Sequence, residues 1–508
     1  MEQEPTPPVM KSARRTPPPS PLAQAQAGGA SAAEDRLSAL DDGTLHAILA
    51  LLPLRDAAAT SVLSRRWPRV FATLPRLVLQ PNTFNRRDFD DGGDEDYCED
   101  AHRWMHSLAC VLESRATPIA AFEIHFKYMG LYDRWFDDLF RELCASGGLL
   151  ELSIINTKYS ECYPLPAAVY NCGTLTTLDL FNWRLKVPGR MTGLRALRLL
   201  RLRNVVASDD DLRRIITRCS AMEHLETDDV HKARNIVITR APRLEKLEIF
   251  AHRPLCISVK KAPRLDSVRL SLSYSHPDIS WSIYDSKDSD EDYSFAEIEE
   301  MYDYKKMAER EHQLTDEVGN MVTFLSVLGR AKKLDMYLPT EFSQVLSMAN
   351  VSMPKRLAKK SYLLGLETLT LTLDHNHEAL ATLVSCLLNS SPNLKDLRIM
   401  GSRLQSSPVS LAAEFWEKLI NADCVLNHLS SFTFFIEPPF EGHPCKGLCQ
   451  FLLMNARVLK RLRIEYRPWL VKPEHAAKLE AVRNELNLWP RASPDMLVEL
   501  CPFRYPSY

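Results

Sequence analysis

The chain has 508 residues, 45% hydrophobic and 25% charged, and its 63 basic and 65 acidic side chains leave a formal net charge of −2. The composition is ordinary for a globular protein, but the length exceeds one simple core, so several domains or a repeat array are expected. A balanced charge gives no global field toward nucleic acid or an acidic membrane, and no stretch approaches the roughly 20 apolar residues that span a bilayer.

Residues 1–33 are rich in Pro, Ala, Ser and Gln and cannot bury enough apolar surface to offset ordering, so they read as a disordered tail. They lack the apolar run of a secretory signal, which predicts an intracellular chain, in nucleus and/or cytoplasm. The basic group Lys11, Arg14 and Arg15 reads as solvated charge. The texture changes at residue 34. Leu45, Ile48, Leu49 and Leu52 fall at helical spacing behind Asp41 or Asp42 as N-cap, and Pro53 breaks that helix. A second, alanine-rich helix is predicted over Arg55–Trp67, with Pro68 at its exit. A helical unit of about 40 residues is near the lower limit for an independent core, so 34–75 should need a partner surface to cover part of its leucines. Next comes an acidic run, Asp88–Asp100, taken as a link to a helix Ala101–Ser114 within a linker segment 76–118.

A different pattern then takes over. The frame apolar-x-x-apolar-x-apolar appears at Leu74-Leu77-Leu79, Ile119-Phe122-Ile124, Leu149-Leu152-Ile154, Leu175-Leu178-Leu180 and Leu194-Leu197-Leu199. It continues at Met222-Leu225-Thr227, Leu244-Leu247-Ile249, Leu265-Val268-Leu270 and Ala331-Leu334-Met336. Leu366-Leu369-Leu371, Leu394-Leu397-Ile399, Leu429-Phe432-Phe434 and Leu459-Leu462-Ile464 complete it. Middle positions 152, 178, 197, 225, 247 and 268 are separated by 26, 19, 28, 22 and 21 residues, on or just outside the range of about 20–29 for leucine-rich repeats. Pro often precedes the frame, as in Ala-Pro-Arg at 241–243 and 262–264 and Ser-Pro-Asn at 391–393. The last two apolar positions alternate as a short strand, and one such strand cannot bury its apolar face alone. Stacked copies form a parallel sheet with a continuous core. The fold class predicted is therefore α/β: a small N-terminal helical unit followed by an irregular leucine-rich-repeat solenoid over 119–423. Short parallel strands line its concave face, and helices such as His377–Leu388 and Leu448–Leu453 its convex one. The acidic and mixed-charge stretch 280–317 lacks the frame and reads as an insertion.

The x position of each strand should face outward, which marks Asp179, Arg198, Glu226, Glu248, Arg269, Thr370 and Arg398 as candidate contacts. Their mixed charge fits a protein surface rather than nucleic acid. Chemistry is absent: there is no Gly-x-Ser-x-Gly, no His-Glu-x-x-His and no phosphate-cradling loop in a chain with 17 glycines. His375 and His377, beside Asp374, read as a polar loop. Cys424, His443, Cys445 and Cys449 lack the paired spacing of a zinc site. Cys110, Cys144, Cys219 and Cys386 lie in apolar patterns and read as small buried hydrophobes. No enzyme activity, metal or cofactor is expected.

The run LPLRDAAATSVLSRRW (Leu52–Trp67) makes residues 34–75 resemble an F-box, of the kind found in plant F-box/leucine-rich-repeat proteins. Residues 424–466, with CVLNHLSSFTFFIEPPFEGHPCKGLCQFLLMNARVLKRLRI, resemble the FBD segment that closes many of those chains, leaving 467–508 as a C-terminal extension. The sequence departs from that group at Leu40-Asp41-Asp42, where Leu-Pro-Asp is usual. The resemblance implies a non-catalytic substrate receptor of a ubiquitin ligase, joined through a Skp-type adaptor to a cullin, with the repeats binding the protein to be ubiquitinated. The matching adaptor-binding positions are Leu40, Leu45, Ile48, Leu49, Leu52, Pro53, Leu54, Val62, Leu63, Arg65, Arg66 and Trp67. The alternative is a protein-binding scaffold with no ubiquitin link.

Overall fold

The computed structural model describes residues 37, 39–80, 83, 94–126, 133–157, 162–252, 256–272, 317–339, 342–348, 352–401, 410–421, 426–436, 440 and 446–503. The expected tail 1–33, nearly all of the insertion 280–317, and Cys424, His443 and Cys445 lie outside the described residues.

Among the described residues three short helices come first, Asp42–Leu49, Leu54–Ala59 and Trp67–Ala72, with a 3-10 turn Thr60–Val62 after the second. Pro53 stands as N-cap of the second helix and Pro68 in the first turn of the third, the two places where a missing N–H costs a helix least. Among the described residues from Arg76 onward, a parallel sheet follows a path of fourteen strands, from Arg76–Leu79 to Leu497–Pro502, each on that path pairing with the next. The alternation of buried and open residues, as in Ala121–Phe126 and Ser431–Ile436, places the second and third apolar positions of each frame inside. Leu152, Leu178, Leu200, Leu225 and Leu247 stand in register across five neighbouring strands, and all are buried.

Repeat length decides what closes each coil. Where middle positions lie 21–22 residues apart, between 225 and 268, there is no room for a helix. A second, two-stranded parallel sheet, Asn235–Ile238 with Cys256–Val259, does the closing. A longer step admits a helix, as with Asp209–Arg218, Glu378–Asn389 and Lys446–Asn455. The last two contain the amphipathic stretches read from the sequence.

The structure corrects the sequence reading in four places. The frame at Leu194-Leu197-Leu199 is displaced by three residues: Leu178 pairs with Leu200 and Leu180 with Leu202. The true frame is Leu197-Leu200-Leu202, and the steps of 19 and 28 become 22 and 25, both inside the repeat range. The run LRALRLLRL satisfies either frame, and only pairing with the neighbours chooses between them. Second, segment 76–118, read as linker and first helix of the array, also holds the strand of the Leu74-Leu77-Leu79 frame, since Arg76–Leu79 pairs with Ala121–Phe126. The helix inside it begins at Asp94, seven residues before the predicted Ala101. Third, the extension 467–508 holds the last rung, Leu497–Pro502. It escaped notice because Asp495 occupies the first apolar position of its frame. Fourth, Cys110 is exposed and Cys144 half-buried, whereas Cys219 and Cys386 are buried as expected.

An asparagine ladder crosses four early coils, with Asn204 and Asp229 inside the strands Leu199–Val206 and His224–His231. Asn156, Asn182, Asn204 and Asp229 stand two residues after the last apolar position of four successive coils. Asn182, Asn204 and Asp229 adopt positive φ (64°, 54° and 53°), a conformation these short polar side chains tolerate. Asn182 donates to the Asn156 carbonyl and Asn156 to that of Asn182, both at 3.4 Å.

Two expectations follow. Leu200→Ala should cost roughly 2–5 kcal/mol and Leu199→Ala about 1 kcal/mol or less by chemical denaturation, because only Leu200 points into the core; the reverse order would restore the original frame. At Gly365 an added Cβ would lie 2.6 Å from the Arg330 carbonyl oxygen of the neighbouring turn. Gly365→Ala should therefore lose roughly 1–3 kcal/mol in the same measurement.

Candidate functional site

Two surfaces carry the residues singled out in the sequence. The first is the helical unit. Asp41 is the N-cap of its first helix and accepts from the Thr44 amide (3.0 Å) and the Thr44 hydroxyl (2.6 Å). Those two bonds hold its carboxyl below the usual range, the hydroxyl contributing most, so the aspartate that replaces proline keeps the helix start in order. Arg66 donates to Asp42, with Nε at 3.1 Å. The half-buried His46 bridges the first and third helices, its Nε2 lying 3.1 Å from the Val70 carbonyl and 3.0 Å from Thr73 Oγ1. Leu45, Leu49, Leu54 and Trp67 are buried, so they form the unit's own core and do not lie on its surface. Leu40 and Ile48 are half-buried against that core. The exposed members of the predicted set are Leu52, Pro53, Val62, Leu63 and Arg65. Val62 is 87% exposed and Leu63 59%, and Leu51, which the sequence reading passed over, is 85% exposed. Its signal was present: Leu51 and Leu52 are adjacent, and one helix face cannot bury both.

The unit is fastened to the sheet. Arg115 donates to the carbonyls of Phe71 (2.9 Å) and Leu74, and the Ala116 amide donates to Ala72 (3.0 Å). Behind the first strand, Trp104 Nε1 donates to the Gln80 carbonyl at 3.2 Å.

The second surface is the open face of the sheet. Its central row runs, rung by rung, Asp179, Arg201, Glu226, Glu248, Arg269, Asp335, Thr370, Arg398, Thr433, Arg463 and Glu499. Six of the seven predicted contacts stand on it. Arg198 does not, since the frame shift puts Arg201 there. Arg198 precedes its strand and pairs with Glu223 at 2.7 Å.

Charges on this row neutralise one another across neighbouring strands. Asp179 takes Arg203 at 2.9 Å and Arg201 at 3.7 Å, and Arg201 reaches Glu226 at 2.7 Å. Glu226 and Glu248 are like charges on adjacent rungs, which repel when directly opposed, and this is where counter-charges converge. Glu248 accepts from Lys246 (2.7 Å), His224 (2.8 Å) and Arg269 (3.1 Å), and Arg269 also reaches Asp335 at 3.0 Å. Burial alone raises the Glu248 carboxyl, but the bonds from Lys246 and His224 outweigh it and hold it below the ordinary value. Burial pushes His224 down more than its bond to Glu248 lifts it, so the ring is neutral at pH 7 and donates from Nε2. The ligand atoms of His224, Glu226 and Glu248 lie within 4.8 Å of one another, but both carboxylates already have cationic partners.

The remaining candidates serve the framework. His377 is the N-cap of Glu378–Asn389, its Nδ1 accepting from the Ala379 amide at 3.3 Å. His375 is buried edge-on to Phe434 at 4.9 Å. Cys449 is buried within the helix Lys446–Asn455. Among the described residues, no helix is long and apolar enough to cross a membrane.

Comparison with known proteins bears on both surfaces. Residues 132–283 match the family model described as FBD-associated F-box protein At5g56370, LRR repeats. An FBD-associated F-box protein of Arabidopsis thaliana, At3g52670, is 24% identical over 469 residues, covering 89% of this chain and 94% of the relative. The chain is similar to plant F-box/leucine-rich-repeat proteins of the FBD type over most of its length. Another Arabidopsis thaliana member, the F-box/FBD/LRR-repeat protein At1g13570, is 24% identical over 74% of this chain and 78% of its own length. A putative FBD-associated F-box protein of that plant, At5g56690, reaches 32% over 38% of this chain and 46% of its own. The solenoid predicted from the frames is the fold observed.

His224 gives a pH expectation. Its folded pKa lies below the unfolded one, so the unfolded chain binds the proton first as pH falls through about 6.5. The stability contributed by the neutral ring is present above that pH and is lost as pH falls toward the folded value. Melting temperature should drop between pH 7 and pH 5, and His224→Gln should show a smaller drop; an equal drop in both would remove His224 from the cause.

Proposed function

We propose that this protein is the non-catalytic substrate receptor of a Skp-cullin-F-box ubiquitin ligase, its F-box docking on a Skp-type adaptor and its repeats binding the protein to be ubiquitinated. The observation that carries the reading is the state of the F-box. Its own core is already filled by Leu45, Leu49, Leu54 and Trp67, yet Leu51, Leu52, Val62 and Leu63 stay in water. Neighbouring exposed leucines and valines on a small helical unit mark an interaction site, and desolvated apolar anchors supply much of the affinity of such contacts. The family names of the relatives support the same role, as does a sheet face lined with polar and charged side chains suited to a protein surface.

The test is capture of the full chain by a purified Skp-type adaptor. Val62→Asp with Leu63→Asp should weaken capture at least 30-fold, the equivalent of about 2 kcal/mol or more, while leaving thermal melting nearly unchanged, since both side chains are exposed. Leu49→Asp is the wrong probe because it disrupts the core. If the double variant is retained as well as the parent chain, or the parent is not captured at all, the ligase reading fails and a protein-binding scaffold remains.

A further inference from the structure

Although the whole chain is almost neutral, its charge is segregated. The open face balances itself, whereas the edge of the sheet where the strands begin does so only in part, through Arg198 with Glu223 and Lys332 with Asp266. Three successive coils start with the same tight turn: Leu244 N–H donates to the Ala241 carbonyl, Leu265 to Ala262 and Ala331 to Leu328. The third residue of each turn is an arginine, Arg243, Arg264 or Arg330. The strands that follow are consecutive neighbours in the sheet. With strands about 4.8 Å apart, three guanidinium stems rise from a stretch of roughly 10 Å. All three side chains are exposed, and among the described residues none of them forms a direct ion pair or a side-chain hydrogen bond, Arg243 and Arg264 acting on Glu223 only at longer range. Exposed Lys260, Lys261 and Lys333 extend the same edge. Like charges stacked in this way oppose folding, and nothing in the turn geometry requires arginine: the equivalent positions of later coils hold Gly365, Asn393 and Val458.

Between these turns lies a shallow cavity of about 460 Å³ lined by Glu245, Lys246, Arg264, Asp266, Ser267 and Lys332. Next to it the exposed apolar side chains Val327 (40%) and Leu364 (56%) flank the last arginine. We propose that this edge docks an acidic segment of a partner protein, with Arg243, Arg264 and Arg330 pairing its carboxylates and Val327 and Leu364 receiving apolar residues between them. Arginine forks pair carboxylates two bonds at a time, and an extended peptide presents same-side carboxylates about 7 Å apart, within reach of neighbouring arginines.

Charge and shape favour a polypeptide over nucleic acid. Glu245 and Asp266 stand among the arginines and would repel a backbone with a charge at every phosphate, whereas spaced carboxylates can avoid them. Single-stranded nucleic acid also calls for exposed aromatic platforms, and the described residues of these three turns include none. Naming the partner as the protein to be ubiquitinated rests on the ligase reading above; the docking itself does not.

The experiment measures binding of the full chain to a fluorescent 20-residue peptide of alternating Glu and Leu, to its Gln-for-Glu analogue, and to a single-stranded RNA 20-mer. The acidic peptide is expected to bind, to weaken with added salt, and to lose at least tenfold both in the Gln analogue and in the triple variant Arg243→Gln, Arg264→Gln, Arg330→Gln. Unchanged melting and adaptor capture of that variant check its fold. The reversed variant Arg243→Glu, Arg264→Glu, Arg330→Glu should prefer a Lys-Leu peptide. Failure of the parent chain to bind the acidic peptide, equal binding by the triple variant, or tighter binding of the RNA through the same arginines would each overturn the proposal. Binding that appears only after deletion of the acidic residues 285–303 would overturn it too, by assigning the edge to the chain's own segment. Peptide binding that persists where adaptor capture fails would sink the ligase reading and leave the docking site standing.

Discussion

Each coil of this solenoid carries one short parallel strand, and that strand has no way to satisfy its backbone or hide its apolar residues except against the coils on either side. The hydrogen-bonded ladder from Arg76 to Pro502 is the constraint on which the rest depends. It fixes register, and register in turn decides which side chain of every repeat is buried and which stands on the open face. Leu200 and Leu202 are buried while Arg201 points outward for no reason local to that strand; the pairing with Leu178 and Leu180 imposes it.

The same ladder organises the electrostatics. Residues from distant parts of the chain become rungs a few ångströms apart, so Arg269 meets Asp335 across 66 positions of sequence. Exposed ion pairs of this kind contribute little each. Their consequence is that the central row is largely self-satisfied, and a partner binding there must replace existing contacts. The turns at the strand-start edge differ. Their third residues are exposed at the strand-start edge and form no direct ion pair there, although Glu223 lies near enough to feel Arg243 and Arg264, so most of their charge stays open to a partner. Specific recognition of a charged partner is therefore easier to build at that edge than on the row that looks most polar in sequence.

The helical unit at 42–72 depends on the array in another way. A unit of three helices, the longest of eight residues, has a small core, and the hydrogen bonds from Arg115 and Ala116 tie its last helix to the first rungs. Burial holds the Arg115 guanidinium below its ordinary pKa, and its bonds to the Phe71 and Leu74 carbonyls offset part of the cost of taking that charge out of water. The surface left open on this unit is correspondingly short, and its exposed aliphatic residues lie at the ends of helices.

Sequence alone determined the class of fold, because recurrence of an apolar frame every 20–30 residues has few other physical solutions. It also held more than was taken from it. Asn182 and Asn204, each two residues after the last apolar position of a coil, mark where the coil takes a left-handed residue, and Asn204 would have selected Leu197-Leu200-Leu202 over the displaced frame. Only the tertiary structure could separate Leu49 from Val62, since both are aliphatic residues in short helices and burial depends on what packs against them. Only it could show that Arg243, Arg264 and Arg330, 21 and 66 positions apart in sequence, form one stack. Periodicity is a property of single residues along the chain and survives in one dimension, whereas exposure and charge pairing belong to neighbours that the ladder alone brings together.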